Sequence, residues 1–170
     1  MEVGEGGFTN GLTLQVAGHA VRAACGPLPA PVLLLAKQCV LDWVAVALVG
    51  SKEPVARLLR AQAIDDGSRP IASAVGGGIR VSAVQAALIN GAAGHAIDYD
   101  DANIGAQGHI TAAVLPATLA IAQAHHASGL RMLQAFAAGY HAAGIVGHYV
   151  GRGHYERGFH GTGTVGSFGA

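Results

Sequence analysis

The chain has 170 residues, enough for about one domain with a sizeable core, and its ten Lys and Arg balance ten Asp and Glu. A formal charge of zero, with no basic stripe interleaved with aromatic residues, argues against a nucleic-acid partner. Two cysteines, Cys25 and Cys39, are too few for a disulfide framework or a zinc site, so buried thiols in a reducing cytoplasm are expected. The hydrophobic fraction is 51%, aromatics are only 5% and glycines number 26, which predicts an aliphatic core closely packed through small side chains.

In chain order, the start MEVGEGGFTNG lacks the cationic and apolar layout of a signal peptide, so secretion is not expected. Thr9 or Asn10 can cap a first helix running to about Ala24, with Leu12, Val16, Ala20 and Ala23 near helical spacing. Gly26 and Pro27 end it. Pro31 suits the first turn of a second helix that runs to Gly50. Within it, Val32 to Val49 is membrane-like in composition, but Lys37 and Asp42 interrupt it, so a core helix rather than a membrane span is expected. The apolar surface this leaves invites a partner subunit or a further domain. Ser51 is expected to start a third, more polar helix that closes at Gly67. Residues 68–80 hold β-type residues around three glycines, a short hairpin or a connector.

Ser82 is a cap for a fourth helix, AVQAALINGAAGHAI. Two Ala-rich helices follow, Thr111 to His126 with Pro116 inside it, and Leu130 to about Val150. The Gly-rich tail ends in Thr162 to Ala170, which reads as the start of another helix. The chain is therefore expected to be part of a longer one. About six helices and no alternating strand pattern give an all-α fold.

Between Asn90 and Pro116 lies NGAAGHAIDYDDANIGAQGHITAAVLP, where charge is concentrated in a chain with only 12% charged residues. Asp98, Asp100 and Asp101 stand almost side by side, which costs self-repulsion and desolvation, so the loop is a candidate site. Asp and Asn are also ordinary turn and cap formers.

Five blocks in order, LAKQCVLDWVAVALVGSKEP, NGAAGHAIDYDDAN, GHITAAVLPATLAIAQAH, AFAAGYHAAGIVG and FHGTGTVGSFGA, resemble the amino-terminal helical domain of the MmgE/PrpD family. The resemblance covers nearly the whole chain from about Leu12. It implies that residues 1–170 are part of an all-helical domain of that type, with the family's smaller α+β domain missing from this chain. It further implies a homodimer with an active site between the two domains, and the residues themselves give the expectation of a cytoplasmic protein without membrane attachment. Known members include 2-methylcitrate dehydratase, cis-aconitate decarboxylase and iminodisuccinate epimerase, which require neither a metal nor an organic cofactor. Their substrates are small polycarboxylates, and each reaction passes through or near a carbanion beside a carboxylate that cations and proton donors stabilise. The leading expectation is dehydration of a 2-methylcitrate-like hydroxy acid; decarboxylation and epimerisation use nearly the same residues.

Carried over by residue, the resemblance implies catalytic and substrate-binding roles for Asp98 in HAIDYDD, His109 in GHITAAVLP and His160 in FHGT. A histidine near neutral pH can bind a carboxylate as imidazolium or pass a proton, and a neighbouring Asp can orient it. Two departures bear on substrate identity: Ala102 stands where many members have Thr, and Ile110 follows His109 where many have Pro. The family's lysine and a further site histidine and tyrosine fall beyond residue 170. By position alone, Asp100 and Asp101 are expected to stabilise the loop, and His95, three residues before Asp98, to share its helical face as a structural partner. His125, His126, His141, His148 and His154 are expected to pack or face solvent, and Tyr140 and Tyr149 to lie in the core or an interface. Without the resemblance, His95, Asp98, Asp101 and His109 form a mixed ligand set for a divalent metal and hydrolysis, and a third reading is a non-catalytic helical remnant.

Overall fold

The computed structural model describes residues 11–170. Its elements are α1 (Leu12–Cys25), α2 (Ala30–Gly50), α3 (Pro54–Asp65), β1 (Ala72–Ala74), β2 (Ile79–Val81), α4 (Ala83–His95), α5 (Ile110–Ala124), α6 (Gly129–Val150), α7 (Arg152–Glu156) and α8 (Gly161–Gly169). The all-α expectation holds. Among the described residues the one sheet is the two-stranded hairpin β1–β2, pairing Ala72 with Val81 and Ala74 with Ile79. Gly76 and Gly78 take positive φ in its turn, which a side chain would resist. Among the described residues there are eight helices rather than about six, because the Gly-rich tail forms both α7 and α8.

Local chemistry sets the helix ends. Ser82 caps α4 by accepting from the Gln85 amide, and Ser128 caps α6 by accepting from the Arg131 amide. Proline occupies the first turn of α2 and of α3. Ser51 was expected to start α3, but it ends α2: its amide donates to Ala47 O and its Oγ to Leu48 O, and Glu53 takes the N-cap of α3 instead. The proposed caps Thr9 and Asn10 lie outside the described residues. Helix α5 continues through Pro116, which is buried.

Helix α4 lies at the centre, against α2, α3 and α5, while α6 packs on α1, α5 and α8. The main core gathers Trp43, Ile110, Val114, Leu115, Phe136 and Val165; a second one under the hairpin gathers Val81, Ala86, Ile89 and Ala120. Small residues allow the helices to close. A Cβ at Gly50 would strike the Ala93 carbonyl, and one at Gly94 would strike the Trp43 indole. Buried Asn90 ties the hairpin to α4, donating to Ser73 O at 2.9 Å and accepting from Val75 N at 2.8 Å.

Helix α2 is long and apolar enough to cross a membrane by length and composition. Nevertheless its inner face seats Trp43, Val46 and Ala47 in the core, and the helix carries Lys37 and Asp42. Its outer face leaves Leu34, Leu35, Leu41, Leu48 and Val49 exposed, with Leu41 72% accessible.

Candidate functional site

The segment between α4 and α5 is built from backbone outward. Helix α4 stops at His95, and Asp98 then takes φ 51, a left-handed conformation that turns the chain out of helical phase. The segment closes on itself through paired backbone bonds between Asn103 and Gly108. Asn103 Oδ1 accepts from the Ala106 amide at 2.8 Å, and its Nδ2 donates to the Tyr140 hydroxyl of α6 at 3.1 Å. Gly108 runs so near the start of α8 that a Cβ would lie 2.8 Å from Thr162 N. Thr162 Oγ1 accepts from the His109 amide at 2.9 Å, joining this loop to α8.

Of the three acids, Asp98 and Asp100 have opposite environments. Asp98 is 82% exposed in its side chain and reaches His109 Nε2 at 3.7 Å. Asp100 is fully buried. Its Oδ1 lies 2.9 Å from His95 Nδ1, while His109 Nδ1 lies 3.2 Å from both Asp100 Oδ2 and Asp100 O. Hydrogen-bond direction is met at the carbonyl, and Oδ2, although in charge contact with the ring, has no aligned donor. The His95 and His109 rings stand 4.7 Å apart. His95 was expected to lie over Asp98; its partner is Asp100.

Asp101 turns the other way. Its Oδ2 accepts from Thr111 Oγ1 at 3.0 Å, and its amide donates to Asp42 Oδ2. Burial raises its carboxyl above the usual range, with Asp42 and Asp100 adding to the effect against the Thr111 bond. Burial also raises the thiol of Cys39 and the phenol of Tyr140, with the Asp101 charge pushing both the same way.

His160 is the N-cap of α8, its Nδ1 accepting from the Gly163 amide at 3.4 Å. Its ring lies 6.4 Å from that of His95, so the second histidine of the resemblance stands beside the cluster as well as capping a helix. Next to it a groove of about 280 Å³ is lined by His95, Ala112, Ala113, Thr162, Gly163 and Ser167.

The structure thus brings Asp98, His109 and His160 to one place and adds His95 and Asp100, which sequence position alone had assigned to the scaffold. Imidazoles in such a group can hold a carboxylate or move a proton. Metal-ligating atoms of His95, Asp98, Asp100 and His109 all lie within 4.8 Å of one another, a spacing from which a metal ion could be held. The sequence grouping had Asp101 in place of Asp100; Asp101 is drawn away by Thr111.

A sequence model of the MmgE/PrpD N-terminal domain matches residues 14–170. A cis-aconitate decarboxylase-like protein of Aspergillus oryzae is 31% identical over 144 residues, which cover 80% of this chain and 30% of that protein. The chain therefore spans less than a third of the length of that relative.

Proposed function

The chain belongs to the MmgE/PrpD family, and on that premise we propose that it forms part of a lyase acting on a small polycarboxylate, most simply by dehydrating a 2-methylcitrate-like hydroxy acid. The observation that carries this reading is the convergence of His109, Asp98 and His160 where the α4–α5 loop meets the first turn of α8. A proton is removed beside a carboxylate, imidazolium groups and cations from the rest of the protein hold the resulting negative charge, and hydroxide departs after protonation as water. Asp98 and His109 together handle the proton, and His160, whose Nδ1 accepts from the Gly163 amide, meets a substrate carboxylate through its Nε2–H.

The name of the Aspergillus oryzae relative favours a second reading, decarboxylation of cis-aconitate. Loss of carbon dioxide leaves the same kind of carbanion, which a histidine then protonates, so the cluster serves either course. Exposed leucines along α2 support a subunit interface, and the reading expects a cytoplasmic homodimer that needs no metal or organic cofactor.

The test is to incubate the 170-residue chain and the full gene product that carries it with 2-methylcitrate, cis-aconitate and iminodisuccinate, following products by NMR. Water loss, carbon dioxide loss or inversion names the reaction. A folded full gene product that leaves all three acids unchanged overturns the proposal.

A further inference from the structure

We propose that Asp100 is a positioning residue that fixes His95 and His109 in the same tautomer, with hydrogen on Nδ1 and a bare Nε2, so that His95 joins His109 as a second base of the site.

Three observations carry this. The Asp100 side chain is wholly buried, yet it sits between two imidazoles, with His95 Nδ1 at 2.9 Å from Oδ1 and His109 Nδ1 at 3.2 Å from Oδ2. The nearest neighbours of both Nδ1 atoms are acceptors. A carboxylate oxygen faces His95, and a carbonyl with a carboxylate oxygen faces His109, so each Nδ1 must carry the hydrogen. The other nitrogen of each ring is then the basic one. For His109 it faces the exposed Asp98, and His95 is 30% exposed and lines the groove at the start of α8. Free histidine is under no such constraint, so the tautomer is imposed by the fold.

The chemical consequence rests on the reading above that His109 meets substrate. When Nε2 forms its bond to a proton, the positive charge created on the ring lies opposite the Asp100 carboxylate, which stabilises it without itself accepting the proton. The other charged or titratable groups around the pair are Asp98, Asp101 and His160. Asp101 is turned toward Thr111 and His160 is held as the α8 cap, so neither competes for the two Nδ1 hydrogens.

The test uses the full gene product labelled with ¹⁵N-histidine, at mildly alkaline pH where ordinary imidazoles are neutral. Long-range proton–nitrogen correlations report which ring nitrogen is protonated, and His95→Gln and His109→Gln assign the signals. The expected result is hydrogen on Nδ1 in both rings. Asp100→Asn keeps the shape but replaces one carboxylate oxygen by an NH₂ group. The His95 ring, whose Nδ1 has the side chain as its acceptor, should then lose its fixed preference for hydrogen on Nδ1, while His109 keeps the backbone carbonyl of residue 100. In turnover of whichever acid is the substrate, Asp100→Asn should lower kcat by roughly 10²-fold or more with little change in KM.

Hydrogen on Nε2 of either wild-type ring overturns the proposal, and so does a stoichiometric divalent metal that takes the Nδ1 positions. If Asp100→Asn does not fold, the wild-type spectrum decides. Absence of turnover in the wild type would sink the functional reading, while the tautomer measurement would still stand or fall on its own.

Discussion

The surroundings of Asp100 and the outer face of α2 spend the same limited alphabet in opposite ways. Around Asp100, glycine and alanine let backbones close to contact, so that one buried carboxylate gathers two imidazoles and a threonine hydroxyl pins the loop to α8. Along α2, leucine and valine are left facing outward with no described neighbour to cover them. The first region is over-determined at its centre, since Asp100 meets both rings and His109 is held through its ring and its amide. The second is under-determined, and only its inner edge is fixed by Trp43, Val46 and Ala47. Substitutions in the first region should therefore be expensive and local, and those in the second cheap for folding and costly only for the proposed homodimer.

The sharpest attempt to break this contrast is His109→Ala and His160→Ala in the full gene product. Each should lower turnover by roughly 10²-fold or more while far-UV circular dichroism stays unchanged. Near-normal rates in both variants would remove the site assignment. Gly94→Ala comes next, because its new methyl would run into the Trp43 indole one residue before His95. A loss of about 1–3 kcal/mol by urea unfolding is expected, with reduced turnover.

Asp101→Asn should act through pH. Burial raises the folded-state carboxyl pKa above the ordinary value, so the folded protein binds the proton more tightly than the unfolded chain does. Stability therefore falls as pH rises from the ordinary carboxylate value through the raised one, and the penalty persists at neutral pH. Removing the charge should make the variant modestly more stable than the wild type at neutral pH. That advantage should vanish in acid below the ordinary carboxylate range; thermal melts across pH would show it, and a constant difference would contradict the assignment. Smallest for folding is Leu41→Ser, expected to change stability by less than about 0.5 kcal/mol. On the proposal of a homodimer, sedimentation velocity should nevertheless show weaker self-association for the variant. A monomeric wild type would overturn that proposal, and an unaltered dimer would place the interface away from this part of α2.

Much of the fold was legible because its signals are local. Ser82 and Pro31 mark helix starts through a hydroxyl acceptor and a fixed φ, and both lie where expected. Ser51 misled because a serine after a helix and a serine before one look alike, and the proline at 54 sets the later start. Asp98, His109 and His160 were singled out through their resemblance to family motifs, and the structure places them near one another. Asp100 was not readable, because the pairing of His95 with Asp98 assumes that helical phase continues past α4. The left-handed turn at Asp98 breaks that phase and swings Asp100, two residues on, beneath His95. His160 shows the reverse difficulty: its capping bond and its place near His95 are both present, so a structural reading and a functional one were never alternatives.

The bond from the His109 amide to Thr162 Oγ1 also gives the site a natural gauge. That amide can exchange its hydrogen with heavy water only when the first turn of α8 lifts away from the loop. Its exchange rate therefore counts the openings in which His109 and His160 part company, and a ligand that bridges the two should slow it in proportion to its occupancy.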